Sequence, residues 1–306
     1  MTTTTKTTAA AFPHYIFGYG SLICPTSRAV TAPTLKHRVA TPVKVHHLQR
    51  VWSFPVPQCA MTFMGVRRTT GATCVGVLVP VSEEELCQFD VRELGYDRIP
   101  LSGDWIEKFP SSKTSSSSCN TTDYNSSTDN SETSLDTGDG SYFDHVLLSS
   151  SSGTDKNEPR VWVYLQQDPS PISAQCPLAQ TYLDVIMRGC LTISDDFLVE
   201  FLRTTRGWSP NDFYDDHNNH HDGQDRDPSK EKNTNNDEEH HYHRATTTTT
   251  TTITTYWVND RHDPLYVRAD VEYSLTRGDE LDQYLERHRP TEIRHRRPLY
   301  GKHHTM

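Results

Sequence analysis

The chain has 306 residues and a formal net charge of −10, yet only 34% of it is hydrophobic and its mean hydropathy is −0.70. That composition excludes a membrane-embedded protein and leaves too little apolar material for the whole chain to pack, while the acidic balance speaks against nucleic acid as a main partner. Seven cysteines, at positions 24, 59, 74, 87, 119, 176 and 190, form no CxxC pair. Their odd number predicts reduced thiols in a reducing compartment, with Cys74, Cys87 and Cys190 as core residues.

Residues 1–12 are rich in threonine, with one lysine and no acid, and no charged-then-apolar signal pattern precedes Tyr15. No run of eighteen apolar residues exists either, so a cytoplasmic, soluble protein is expected. The first element is the apolar stretch His14-Tyr15-Ile16-Phe17, which reads as a buried strand running into Gly18-Tyr19-Gly20-Ser21-Leu22-Ile23. Without a Cβ, Gly18 and Gly20 are free to take positive φ and let backbone N–H groups converge on an oxygen anion, and Ser21 adds a hydroxyl. The plainer reading is a strand end with a structural turn.

A second apolar strand, Cys74-Val75-Gly76-Val77-Leu78-Val79-Pro80-Val81, is followed by Ser82-Glu83-Glu84-Glu85. Ser82 and Glu85 have the spacing of a capping box, predicting a short helix that starts near Glu83, buries Leu86 and Phe89, and stops at Gly95. Glu93 then falls at the helix end, where the negative pole of the helix dipole raises a carboxylate's pKa. A surface ion pair with Arg92 or Arg98 is the commoner fate of such a glutamate.

Two stretches show no sustained periodicity: about 110–158, dominated by Ser, Thr, Asp and Asn, and about 209–255, with Asp/Asn/His runs and a threonine tract. Both are expected to be disordered insertions. With eight acidic residues against two basic in the first and ten against four in the second, they carry −12 together and leave the remainder near neutral, at about +2. Between them, Arg160-Val161-Trp162-Val163-Tyr164-Leu165 reads as a further strand.

The FGYGSLI turn at 17–23, the FDVRELGY turn at 89–96 and the strands at 74–81 and 160–165 together resemble the γ-glutamylcyclotransferase-like family. Its ChaC-like branch carries YGSL where other branches carry YGSN, and the resemblance covers roughly residues 14–101 and 159–190. It implies an α+β fold, a small mixed β-barrel flanked by helices, with residues 19–22 at the mouth of a pocket and Glu93 inside it. It implies a reaction in which the γ-glutamyl group of a peptide such as glutathione, or of a γ-glutamyl amino acid, cyclises to 5-oxoproline and releases an amine. Carried over residue by residue, Tyr19, Gly20, Ser21 and Leu22 would bind the γ-glutamyl group and Glu93 would be the general acid/base. The implied partner is that small-molecule substrate, with no metal, cofactor, nucleic acid or membrane involved. The stretch Val51-Trp52-Ser53-Phe54-Pro55-Val56-Pro57-Gln58 keeps an aromatic but replaces the loop of glutathione-specific relatives, so substrate choice is expected to be set there.

The implied chemistry suits these residue types. The substrate's own α-amine must attack its own γ-carbonyl, and one carboxylate can take the proton and return it to the leaving nitrogen. Burial would raise that carboxylate's pKa toward neutrality. The pocket's remaining task is to fold the γ-glutamyl chain into a near-attack shape, which a rigid backbone nest does well.

Beyond residue 176, Leu178, Tyr182, Ile186 and Cys190 recur at four-residue spacing and predict an amphipathic helix. Ser194 is the expected N-cap of another, with Asp195 and Asp196 in its first turn and Gly207 as its stop. The cluster from Tyr256 through Asp260, Arg261, Tyr266 and Arg268 is expected to pack across the barrel with Asp260 and Arg261 paired; the alternative is that it lines the pocket and reads the leaving amine. The basic run at 287–297 reads as a solvated helix end. The resulting organisation is a γ-glutamylcyclotransferase-like domain at 14–208, a low-complexity insertion at 209–255 and a C-terminal extension with a basic tail at 256–306. Three other readings stay open: a catalytically silent ligand-binding relative, a scaffold working through its acidic insertions, and a metal-dependent hydrolase using His217, His220, His221, His240, His241 and His243.

Overall fold

A computed structural model describes residues 14–110, 160–214 and 256–299. The first acidic stretch beyond Pro110, the second beyond Tyr214, the His tract and Cys119 lie outside the described residues. Residues 209–214, expected to open the second stretch, instead contain the helix Pro210–Tyr214, whose Phe213 is buried.

Six strands form one mixed sheet curled into a half-barrel: β1 His14–Gly18, β2 Thr41–Val56, β3 Met61–Val81, β4 Asp97–Leu101, β5 Ile106–Lys108 and β6 Arg160–Leu165, in the order β4-β6-β1-β3-β2-β5. Only β1 and β6 run parallel. The curl has a local cause. The β2–β3 ladder slips register between His46 and Leu48 and between Trp52 and Phe54, and each slip bends the long hairpin and increases its twist. The second half of β3 is almost continuously apolar because both of its faces are covered, as its composition predicts.

Helix α1 is Pro25–Thr31, and α2 is Glu83–Arg92 with the expected capping box: the Glu85 amide donates to Ser82 Oγ at 3.2 Å and the Ser82 amide to Glu85 Oε2 at 2.8 Å. Leu86 and Phe89 are buried beneath α2. Cys87, expected in the core, lies one position past Leu86 and is turned out to solvent. Cys74 and Cys190 are buried thiols, as expected, and all six described cysteines are free.

Helices α3 Gln180–Leu191 and α4 Asp195–Thr204 pack against the sheet, α4 capped by Ser194, whose hydroxyl accepts from the Phe197 amide. The apolar spacing of α3 predicts one buried stripe. In the structure nearly all of α3 is buried, because a layer from the C-terminal extension covers its other side. That layer follows the short helix α5 Pro210–Tyr214. It comprises strand β8 Trp257–Asn259, helices α6 Val271–Thr276, α7 Gly278–His288 and α8 Pro290–Ile293, and strand β9 Arg297–Pro298, with β8 lying parallel between β7 Leu178–Ala179 and β9.

Two expectations for this layer are corrected. Asp260 and Arg261 do not pair with each other: Asp260 accepts from the Thr181 amide at 2.8 Å, the Thr181 hydroxyl at 2.6 Å and the Leu265 amide at 2.8 Å. Arg261 forks onto Asp184 at 2.8 and 3.0 Å and onto Asp282 at 2.8 and 3.0 Å. Neighbours in sequence point apart here because one reaches α3's N-terminus and the other its middle. The basic run is likewise more than a solvated end. Arg289 donates to the Leu202 and Thr205 carbonyls at the C-terminus of α4, and Arg296 pairs with Asp282 at 2.6 Å. No helix among the described residues is long and apolar enough to cross a membrane.

Candidate active site

A cavity of about 200 Å³ opens where β1 ends, and Tyr19, Gly20, Ser21, Leu22 and Glu93 all line it. Residues Ser21–Ile23 form a single 3-10 turn, closed by Ile23 N–H to Gly20 O at 2.9 Å and Cys24 N–H to Ser21 O at 3.2 Å. The first amides of the turn, on Ser21 and Leu22, have no carbonyl to bond within it. Neither Gly18 nor Gly20 adopts positive φ, contrary to expectation. Glycine is needed there for space: a Cβ on Gly18 would lie 2.8 Å from Leu22 Cβ, and one on Gly20 3.3 Å from the Tyr182 hydroxyl.

Two buried arginines hold the loop from behind. Arg28 Nη1 donates to the Leu22 and Ile23 carbonyls at 2.8 and 2.9 Å, and Arg50 Nη1 donates to Tyr19 O at 3.2 Å and Val75 O at 2.7 Å. Arg50 is wholly buried among neutral acceptors, including Thr205 Oγ1, Thr204 Oγ1 and the Phe201 carbonyl, and burial lowers its pKa; burial brings Arg28 down to about 10. With the loop's carbonyls drawn toward these cations and their positive field lying behind the turn, the surroundings of its amides favour an anion.

Glu93 is the C-cap residue of α2, and Gly95, at φ 97°, turns the chain out of the helix as predicted. The Glu93 side chain is 17% exposed and its carboxylate meets Arg92 Nε at 3.1 Å. Of the two pairings the sequence offered, this is the one formed; Arg98 pairs with Asp90 at 3.0 Å and lies 4.8 Å over the Trp162 ring. Burial raises the Glu93 pKa above the ordinary carboxylate value, and the charges of Arg92 and Arg268 only partly oppose that rise. Arg92 uses its whole fork: Nη1 donates to Ser27 O at 2.8 Å and Thr31 Oγ1 at 2.9 Å, and Nη2 to Ser21 Oγ at 3.1 Å and Ser27 Oγ at 3.0 Å. One guanidinium thus ties the glutamate to the hydroxyl of the turn.

Tyrosines form much of the remaining wall. Tyr19 donates its hydroxyl proton to Tyr164 O at 2.7 Å and Tyr96 to Met64 O at 2.9 Å, and burial pushes both phenols well above their ordinary pKa. Tyr19 therefore contributes its ring, and its proton is spent on the scaffold. The Tyr182 phenol is buried beside Gly20, and burial pushes its pKa up as well. Its ring packs edge-on against Trp52 at 5.7 Å and lies 4.7 Å from Tyr266. Phe54 and Val56, from the stretch expected to set substrate choice, line the cavity, whereas Trp52 is fully buried beneath it.

Sequence reasoning does not single out Arg92, Tyr96 or Tyr182 as cavity residues, and it offers the pocket only as the second reading for the segment of Tyr266 and Arg268, which both pack and line the cavity. Spacing alone makes Tyr182 a core position in an apolar stripe; the signal that marks it is a hydroxyl among apolar neighbours that has to find a partner. Arg50 carries a similar signal, a lone cation inside the strand run Leu48-Gln49-Arg50-Val51-Trp52.

No protein-family model matches the chain, and no curated protein matches it. Among solved structures it is similar to an uncharacterized protein from Homo sapiens, at 12% identity over 61% of this chain and 85% of that one, TM-score 0.34. It is similar to a chain described as "Gamma-glutamyl cyclotransferase" at 12% identity over the same shares, TM-score 0.35, and to YkqA from Bacillus subtilis at 15% identity over 62% of this chain and 53% of that one, TM-score 0.37.

Proposed function

We propose that this chain is a γ-glutamylcyclotransferase-type enzyme of the ChaC-like branch, which cyclises the γ-glutamyl group of a small γ-glutamyl compound to 5-oxoproline and releases the amine. The observation that carries the proposal is one cavity holding a desolvated glutamate and the free amides of a rigid glycine turn, joined through Arg92. In this reading the Ser21 and Leu22 amides bind an oxygen anion of the γ-glutamyl group, and the tyrosine-rich wall keeps its chain folded. The neutral α-amine attacks the γ-carbonyl carbon and the C–N bond to the leaving amine breaks. Glu93 takes the proton shed by the attacking nitrogen and returns it to the departing one, so no proton is gained or lost overall. A carboxylate with a raised pKa performs both halves of that exchange better than an ordinary surface glutamate. The proposed setting is the cytoplasm, and the proposed partner is the small-molecule substrate alone.

The test is 5-oxoproline release from glutathione, a γ-glutamyl dipeptide and γ-glutamyl-lysine, run on the wild type and on Glu93→Gln. Release by the wild type and its loss in the variant are expected. A folded wild type that releases none from any of the three overturns the reading.

A further inference from the structure

Three charged side chains line the cavity: Arg92, Glu93 and Arg268. Arg92 has all five of its N–H groups engaged, one of them on Glu93, so that pair is closed to a ligand. Arg268 is different. Its Nε is buried and has no hydrogen-bond partner among the described residues, although its charge acts on Glu93 from across the cavity. A buried guanidinium nitrogen without a partner is costly, and two arginines against one glutamate leave one positive charge unbalanced.

From this we infer that Arg268 is a specificity-determining residue that pairs with a carboxylate on the leaving side of the substrate, so that γ-glutamyl amino acids are preferred over γ-glutamyl amines. The inference rests on the cyclotransferase reading and deepens it. A γ-glutamyl amine carries one ammonium and one carboxylate and is neutral, whereas a γ-glutamyl amino acid carries a second carboxylate and supplies the missing negative charge. The position of Arg268 assigns it to the leaving side. Arg268 is half-buried and enters the wall with Tyr266 from the C-terminal layer, whereas Glu93 comes from the end of α2 and the amides of residues 21 and 22 from the turn after β1. The glutamyl end belongs with Glu93 and the amides of residues 21 and 22, which leaves the Tyr266 and Arg268 side of the wall to the leaving group.

The turn that presents Arg268 is firmly held. Ala269 N–H bonds Tyr266 O at 2.9 Å, and the Tyr266 ring packs against Tyr182 and Phe63. Upstream, the Asp260 carboxylate ties the Leu265 amide to Thr181 at the start of α3. An arginine presented on such a support is preorganised for a carboxylate, and its planar fork suits bidentate pairing.

γ-Glutamyl-alanine and γ-glutamylethylamide differ only in that carboxylate, so the ratio of their kcat/KM values isolates it. The wild type is expected to prefer γ-glutamyl-alanine by about 30-fold, the range of a charge-assisted hydrogen-bonded pair. Arg268→Gln should bring the ratio to about one, chiefly by raising KM for γ-glutamyl-alanine, and Arg268→Lys should restore part of it. Any influence of Arg268 on Glu93 acts on both substrates and cancels in the ratio. A ratio that Arg268→Gln leaves unchanged overturns the inference, and so does an equal loss on both substrates, which would place Arg268 at the glutamyl end. A wild type that turns over neither of these compounds nor glutathione overturns the cyclotransferase reading instead, whereas one active on glutathione alone leaves that reading standing. Carboxylate recognition is then read from calorimetric binding of the same two compounds, where a preference for γ-glutamyl-alanine lost in Arg268→Gln supports the inference and no preference overturns it.

Discussion

In the cavity, Glu93 has a single arginine hydrogen bond to offset its burial, and its pKa rises; on the far side of α3, Asp184 and Asp282 share Arg261, Asp282 also takes Arg296, and Asp184 takes the Gln180 amide as well. Burial pushes both aspartates up: at Asp282 the hydrogen bonds from Arg296 and Arg261 outweigh it and the pKa falls, while at the more deeply buried Asp184 burial prevails over its partners and the pKa stays raised. The two regions use the same residue types to opposite ends. Where carboxylates are saturated the charges lock the extension onto the sheet layer, and where one is left under-satisfied the protein keeps a group able to exchange a proton.

The sharpest way to break this contrast is Glu93→Gln. It is expected to lower kcat by about 10³-fold, the scale of general acid–base catalysis. It should also raise the thermal midpoint at neutral pH. A carboxylate whose folded pKa is raised favours folding in its protonated form, and that contribution is lost as pH rises through the folded pKa, so the neutral amide removes a cost. The gain should shrink as pH falls back through that pKa. A variant that is both inactive and destabilised at neutral pH would show Glu93 to be structural.

Next in size is Arg261→Ala, which leaves Asp184, 1% exposed, with an uncompensated charge. A loss of about 3 kcal/mol in urea unfolding is expected, as for other broken buried pairs. Turnover should fall with it, because Asp260 and the Arg268 turn are carried on the same layer. A loss below about 1 kcal/mol, the range of surface pairs, would remove the distinction between the two clusters.

Asp282→Asn sharpens the contrast through pH. A depressed carboxylate contributes stability that is present above its unfolded pKa and lost as pH falls through the folded one, the opposite sign to Glu93. The variant should be about 2 kcal/mol less stable than wild type at neutral pH. The difference should close on acidification below about pH 4, the ordinary aspartate value. Equilibrium unfolding at several pH values measures it.

The smallest effect belongs to Gly95→Ala. At φ 97° a side chain is strained, and its Cβ would meet Phe54 Cζ at 2.7 Å. The expected cost is about 1 kcal/mol of stability, with a few-fold loss of kcat/KM as Phe54 is pushed within the cavity wall. Denaturant midpoints and steady-state kinetics check the two parts.

Much of the frame is readable from local patterns. The Ser82–Glu85 capping box, the Ser194 cap, the Gly95 stop and the β-rich runs each express a preference satisfied within a few residues of itself. The turn at residues 17–23 is legible for the same reason, though the role of its glycines is not: positive φ is a property of one residue, but the space that Gly20 leaves for the Tyr182 hydroxyl depends on a helix far along the chain. Cys87 shows a similar limit, since its apolar neighbours suggest burial and only the rotation of α2 on the sheet turns it outward.

By itself the sequence determined the caps of α2 and α4, the apolar strand runs at 14–17, 74–81 and 160–165, that the acidic stretches differ in charge from a near-neutral remainder, and that a glutamate sits at a helix end. Tertiary structure alone decided what that glutamate faces. The Arg92 fork reaching Ser21, the Tyr182 hydroxyl set against Gly20, the Arg28 and Arg50 cations behind the turn and the Arg268 side chain in the cavity wall all depend on how the chain folds back on itself. Backbone hydrogen bonds and capping act over one turn of chain and leave a signature in residue spacing, whereas burial, desolvation and the sharing of charge depend on which surfaces meet, and spacing along the chain carries no record of that.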